Sequence, residues 1–476
     1  MLSIARDLVR LEEGARLILM NGRFPRPLVF SRGIDEVKAA LASPEQISDT
    51  ALCDLLVRFR ILVEGPETSV SPASHQAFNP ASKADLSVYL LVTQRCNLGC
   101  TYCLGKDTSY LDGHSMSSDV AERAIRRGLD AIAPGGVLQL IYFGGEPLLN
   151  WELMKHCFKF GRQQNGIRPD RQLRHHVTTN LTQLPSDFIE TAKEHSLSVL
   201  VDIDGPCSMH NKMRPFRNGR PSYDRIIRNL DALSRAGIYF EVRATITAEN
   251  VAEIPAIHEH HHRLKPQACA FPTLTPVDAA GRPLDPATYP DPAIYRRELN
   301  RVADEGLFDL SSICPTNVVA ARMLRFEFVT YGCGMLLGNT AAVTHEGAVY
   351  PCIYLVGRSQ FLLGHLQEET NPFAQPGYAR LFEKWKDRLH VDKMEKCREC
   401  SIRYLCGGGC PLRIMALDEE TDSHRLARDY FRDISCAASW AAVESTIRNY
   451  DVRAAQHARR SGSSPPPAGG RAHDTP

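Results

Sequence analysis

Residues 95–103 read RCNLGCTYC and set Cys96, Cys100 and Cys103 in a C-x3-C-x2-C array, directly after the β-branched run SVYLLVTQ at 87–94. Three thiolates in one short loop can each ligate a different iron of a 4Fe-4S cube, which leaves the fourth iron without a protein ligand. An iron open in that way can hold a reacting molecule. A zinc loop is the competing reading, but structural zinc takes four ligands. No further Cys follows before Cys157.

Working outward, β-branched runs recur from Leu86 to about residue 266: VLQLIYFGG, LRHHVTTN, LSVLVDIDG and IYFEVRATIT. Helical patterns such as 118–131 and 187–192 separate them. This alternation predicts repeated βα units and a parallel sheet or barrel. The second run ends in FGGEP with Gly144, Gly145, Glu146 and Pro147, and the third in Thr178, Thr179 and Asn180. The fourth ends in Asp202 and Asp204, the fifth in Arg243. All sit at C-terminal strand ends, where barrel enzymes place their sites.

A second set of cysteines begins at Cys333 in YGCG, passes Gly347 to Cys352, and resumes as CREC-x5-C-x3-C with Cys397, Cys400, Cys406 and Cys410, before Cys436. Residues 1–85 read as a small α+β unit with strands near 15–20, 27–31 and 61–64, helices near 35–41 and 49–59, and a polar linker at 65–83. The expected divisions are 1–85, a core at 86–310, a Cys-rich irregular domain at 311–445 and a tail at 456–476. The tail is poor in apolar residues and is expected to be disordered.

Lys plus Arg (56) balances Asp plus Glu (55) over 476 residues, so no net field draws nucleic acid or an anionic membrane. The N-terminal stretch meets Glu12 and Glu13 before any sustained apolar run, and no segment reaches spanning length. The expectation is a cytoplasmic protein without membrane contact. There the fifteen Cys are expected to serve metal or clusters rather than disulfides. Cys53, Cys157, Cys207 and Cys269 lack cluster spacing and read as core or incidental residues. The stretch with His258, His260, His261 and His262 reads as the solvated end of a helix, with His258 and His262 on one face.

On these residues the chain resembles the radical S-adenosylmethionine (SAM) superfamily, whose C-x3-C-x2-C loop follows the first strand of a partial (β/α)6 barrel. The resemblance implies a SAM-binding cluster on Cys96, Cys100 and Cys103. It implies SAM contacts from Tyr102, Gly144, Gly145, Glu146, Pro147, Thr179, Asn180, Asp202 and Arg243, and a 5'-deoxyadenosyl radical as the abstracting species. The later cysteines resemble the SPASM module. That likeness implies one auxiliary 4Fe-4S cluster on Cys397, Cys400, Cys406 and Cys436 and another on Cys333, Cys352 and Cys410, three clusters in all. Similar enzymes often carry a Cys just before the Cys333 position. This chain has none, leaving an open iron or a distant ligand such as Cys314.

The N-terminal unit resembles the winged-helix-like domains by which peptide-modifying enzymes hold a leader segment. The implied partners are a peptide or small protein with a leader and a flavodoxin- or ferredoxin-type electron donor. Ile353 follows Cys352 where sulfatase-activating relatives place a basic Asp, which speaks against formylglycine formation. The layout looks most like the maturation enzymes of quinohemoprotein amine dehydrogenase, which form thioethers between Cys sulfur and carbon. A maturase of another ribosomal peptide is the alternative. A zinc-stapled peptide-binding protein and a SAM-free electron carrier are the readings from other classes. Asp204 is the candidate base for the attacking thiol, with Asp202 nearer SAM; its competing role is to hold the Asp-Gly-Pro turn.

Overall fold

The computed structural model describes residues 2–65, 84–105, 113–304, 313–314, 316–415, 417, 421–450 and 470–471. The N-terminal unit comprises β1 (Leu2–Ile4), β2 (Leu8–Glu13), β3 (Arg16–Asn21), β4 (Phe24–Phe30), α1 (Ile34–Ala42), α2 (Thr50–Arg58) and β5 (Leu62–Glu64). β2, β3 and β4 form an antiparallel meander, and β1 pairs with β5. β3 is apolar on both faces because both are covered. Leu17 and Leu19 pack with Leu28, Phe30, Val37, Leu41 and Leu56 of the unit itself. Alternation turns Ile18 and Met20 the other way. There they share a core with Val319, Met323, Ile402, Leu405, Ala442, Val443 and Ile447. The unit is therefore fused to the C-terminal region, where the linker had suggested a separate body.

The central sheet follows the expected rhythm: β6 (Asp85–Thr93), α3 (Ser118–Ala131), β7 (Val137–Gly144), α4 (Trp151–Ile167), β8 (Gln172–Thr179), α5 (Phe188–Glu194), β9 (Ser198–Asp202), α6 (Cys207–Met213), α7 (Tyr223–Arg235), β10 (Phe240–Arg243), α8 (Ile254–Arg263), β11 (Ala268–Ala270), α9 (Pro292–Asp304) and β12 (Ile313–Cys314). β6 to β12 lie in sequential order and are all parallel. Right-handed crossovers in one direction put every helix on the same face, which is barrel topology. The barrel stays open, because β6 pairs on its other side with β13 and not with β12.

After α10 (Thr316–Arg325), β13 (Thr340–Val343), β14 (Ala348–Tyr350) and β15 (Gly364–His365) carry the sheet past residue 310 into the Cys-rich region. α11 (Gln375–Leu389), α12 (Glu395–Arg398), α13 (Arg403–Cys406), α14 (Leu412–Met415) and α15 (Asp422–Arg448) follow. The expected disordered tail lies outside the described residues except for β16 (Gly470–Arg471), which pairs in parallel with the edge of β4. No helix among the described residues is long and apolar enough to cross a membrane.

The expected helix at 187–192 begins one residue later. Asp187 instead accepts hydrogen bonds from Trp151 Nε1 (2.7 Å) and Lys155 Nζ (2.9 Å) on α4. The histidines of α8 depart further from expectation. His258 and His261 are fully buried, because with Ile254 and Ile257 they form the i, i+3, i+4, i+7 face toward the sheet. His261 Nε2 donates to the Ile203 carbonyl at 2.7 Å, and its ring stacks on Phe271.

Candidate active site

The three-cysteine loop is clamped between the end of β6 and the stretch after α6. Thr101 N donates to Met213 O (2.9 Å), Gly99 N to Pro215 O (2.8 Å) and Arg217 N to Asn97 O (3.1 Å). Burial pushes the Cys96 thiol up to about 11 and Cys100 up to about 12, so both stay protonated until a metal or cluster takes them as thiolates. Three thiolates in one loop suit a cube with one open iron better than a structural zinc, which takes four protein ligands.

The glycine loop presses on the same stretch from the other side. Gly144 has φ 134, open to glycine and rarely to other residues, and a Cβ there would meet Thr93 O at 2.2 Å. At Gly145 a Cβ would meet Arg95 O at 2.3 Å. The close backbone approach is therefore to the residues that launch the cysteine loop. Glu146 lies behind this contact, buried. Its carboxylate accepts from Thr179 Oγ1 (2.6 Å), Asn180 N (2.7 Å) and Leu148 N (3.0 Å), while burial pushes its pKa up to about 7. It ties the end of β7 to the end of β8. Asn180 carries the tie onward by donating from Nδ2 to Asn97 Oδ1 at 3.0 Å.

Past β9, two carboxylates meet two arginines. Arg243 donates to Asp202 through Nε (2.7 Å) and Nη2 (3.1 Å). Despite its burial, the Arg214 and Arg243 cations hold the Asp202 carboxyl below its usual range. Arg214 Nη1 lies 3.3 Å from Asp202, and its Nε donates to Asp204 at 2.8 Å. Asp204 is 0% exposed; it also accepts from the Tyr102 hydroxyl and from Thr245 N (3.0 Å). Both its oxygens are held by these donors, which is the arrangement of an anchor. Sequence reasoning missed Arg214, His210 and Ser222. The signal was present: His210 and Arg214 stand four apart, at and just past the end of α6, after the Asp-Gly-Pro turn.

One cavity collects the rest. Cys96, Cys100, Tyr102, Cys103, Gly144, Gly145, Thr178, Asn180, Asp202, Arg214 and Arg243 line it, and Leu274, Thr275 and Val277 add a wall. Glu146, Pro147, Thr179 and Asp204 are buried and do not line it. Its roof is Ile353, Tyr354 and Val356, immediately after Cys352. Tyr354 is 38% exposed, with Thr275 and Arg243 near its hydroxyl.

The later cysteines fall into two neighbourhoods. Cys333, Cys352 and Cys410 pack against one apolar cluster that includes Met335, Leu355 and Trp385. Cys400 lies beside Cys397 and Cys406; Ser439 Oγ donates to Cys406 Sγ at 3.2 Å, one turn of α15 beyond Cys436. The backbone of Cys314 pairs with Ala270 at the barrel's open edge, and its side chain lies outside the described residues. Cys157 and Cys269 are buried in the core, and Cys207 is exposed.

Residues 90–260 match the Radical SAM superfamily. An AdoMet-dependent heme synthase of Methanosarcina barkeri is 28% identical over 347 residues, 68% of this chain and 90% of that protein. A cysteine-type anaerobic sulfatase-maturating enzyme of Clostridium novyi is 22% identical over 67% of this chain and 85% of its own. Among solved structures, anSMEcpe with bound AdoMet superposes with TM-score 0.63 at 20% identity, over 77% of this chain and 99% of that one. Streptococcus suis SuiB bound to precursor peptide SuiA gives 0.53 at 15%, over 88% and 98%. The matched segment contains the three-cysteine loop, the glycine loop and the carboxylate–arginine group, so these three parts of the site lie in the part of the chain that is similar to radical SAM enzymes.

Proposed function

We propose that the enzyme carries three 4Fe-4S clusters and matures a ribosomally made peptide or small protein by joining Cys sulfur to carbon, as in the small subunit of quinohemoprotein amine dehydrogenase. The observation that carries this reading is the cavity roof. Ile353 and Tyr354 come directly after Cys352, so a substrate in the cavity lies beside the Cys333, Cys352 and Cys410 set. Cys333, Cys352 and Cys410 would hold an auxiliary cluster there, which would supply a place for a substrate thiolate beside the cavity. Relatives support a peptide substrate: sulfatase-maturating enzymes, and solved structures holding the Cp18Cys peptide or SuiA.

The chemistry supplied by the bound cluster and SAM is hydrogen abstraction from an unactivated carbon. Cys96, Cys100 and Cys103 would hold the cluster, and Tyr102, Gly144, Gly145, Asn180, Asp202 and Arg243 would face SAM from the cavity wall. Leu98, Leu104, Phe143, Leu274 and Val277 exclude water around the reacting carbon. Cys397, Cys400, Cys406 and Cys436 would hold the other auxiliary cluster, toward a flavodoxin- or ferredoxin-type donor. The N-terminal unit would take the leader by strand addition at the edge of β4, an edge that already accepts β16.

Replacing Cys96, Cys100 and Cys103 with Ala should abolish SAM cleavage and leave the auxiliary clusters visible by spectroscopy. Product from the full enzyme should lose two hydrogens and one free thiol. Retained cleavage in the variant, or a product with its thiol intact, would overturn the reading.

A further inference from the structure

We propose that Arg214 raises the reduction potential of the SAM-binding cluster, and that Asp204 is the counter-charge that limits the rise. This rests on the assignment of that cluster to Cys96, Cys100 and Cys103. Arg214 is a positioning residue whose guanidinium reaches the cysteine loop directly, with Nη1 4.0 Å from Cys100 Sγ. The same group lies over the Tyr102 ring, 5.3 Å from its centroid, and donates to Asp204 at 2.8 Å. Its side chain is 7% exposed.

Asp202 (3.3 Å) and Asp204 (2.8 Å) hold the guanidinium, and the backbone that carries it is locked from two directions. Arg214 N donates to His210 O at 2.7 Å, and Ser222 Oγ donates to Arg214 O at 2.6 Å. His210 closes the ring: its Nδ1 accepts from Asp204 N (3.2 Å), so Nε2 carries the proton toward Ser222 Oγ (3.0 Å). Residues 213 and 215, on either side of Arg214, are the same residues that pin the cysteine loop. One short segment thus fixes both the cluster's ligands and the charge beside them.

Hydrogen bonds to ligand sulfurs and nearby net charge tune a cluster's potential. A fixed cation favours the added electron and a fixed carboxylate opposes it, more strongly in a buried site than in water. Arg214 stands between Cys100 and Asp204, so the two side chains act with opposite sign on one centre. Loss of packing has no such signature.

The test is an anaerobic redox titration of the full chain, reconstituted with iron and sulfide and followed by EPR, using the signal that disappears in the Cys96/Cys100/Cys103→Ala variant. Arg214→Gln should lower that midpoint, Asp204→Asn should raise it, and Arg214→Lys should fall between wild type and Arg214→Gln. The auxiliary signals serve as internal references and should not move. If Arg214→Gln folds poorly, the double variant Arg214→Gln/Asp204→Asn removes the stranded charge and should lie below Asp204→Asn alone. Shifts of the same sign in both single variants, or no shift, would overturn the proposal. A wild-type signal that survives loss of the three cysteines would instead overturn the cluster assignment and leave Arg214 a structural clamp.

Discussion

Glu146 shows how far a motif can be read at the level of single residues. FGGEP pointed to SAM, and its glycines do line the cavity, but the carboxylate turns behind the wall to take three donors. A motif marks a loop; which side chains face inward depends on the neighbouring strand. Glu146→Ala leaves two backbone N–H groups and a hydroxyl buried without acceptors, at about 1–3 kcal/mol each. Denaturant unfolding should show a loss of about 3 kcal/mol or more. Asp204 was legible as a residue of the site but not as an anchor, since Arg214 and Thr245 reach it from other elements. Asn at that position sets an amide against one of its donors. Thermal unfolding of Asp204→Asn should show destabilisation of about 1–3 kcal/mol even without substrate.

At the scale of elements, the βα rhythm was legible because parallel strands buried on both faces read as continuous β-branched runs. The glycine loop is the contact on which that order depends. Gly145→Ala would drive a Cβ against Arg95 O and part the end of β7 from the cysteine loop. SAM binding, measured by calorimetry on the reconstituted protein, should weaken about tenfold or more, a cost of about 1.4 kcal/mol. α8 was misread for a physical reason. His counts as polar, so HEHHH looked solvated, whereas the spacing of Ile254, Ile257, His258 and His261 traces the buried face.

Over the whole molecule, the buried histidines have a collective effect on acid stability. Burial holds His175, His210 and His261 at about 3 and His258 at about 4. Unfolding raises each toward about 6.5. The unfolded chain therefore binds more protons between those values, and these groups lose stabilising power as pH falls from about 6.5 toward 3. Glu146 acts oppositely: its raised pKa costs stability as pH rises from about 4.5 toward 7. Burial holds His176 at about 4 as well, and these five histidines against one carboxyl predict that the melting temperature falls as the solution is acidified from pH 6.5 to 4.

The attachment of the N-terminal unit was the least legible feature. Residues 1–85 were expected to form a unit set apart by a linker, yet the alternation in β3 already carried both a private and a shared core. Asp7 and Arg403, 1% and 2% exposed, form an ion pair across the junction, joined by Arg23 and Asp392. Asp7→Ala should cost about 3 kcal/mol by leaving Arg403 under-compensated. Deleting residues 1–64 should lower the melting temperature of the remainder, where a separable unit would leave it unchanged.

That shared core limits how the enzyme can be re-engineered for a new substrate. The residues that hold the N-terminal unit in place, Asp7, Val9, Ile18 and Met20, lie in β2, β3 and the turn before β2, while β4 forms the edge beside them. A chimera that imports a foreign recognition cassette inherits foreign residues at those positions, facing a surface on the helices and Cys400–Cys406 loop that no longer fits. Retargeting is better attempted by rewriting the β4 edge and leaving the inward face of β2 and β3 untouched, so that only the outward half of this small sheet is free to diversify.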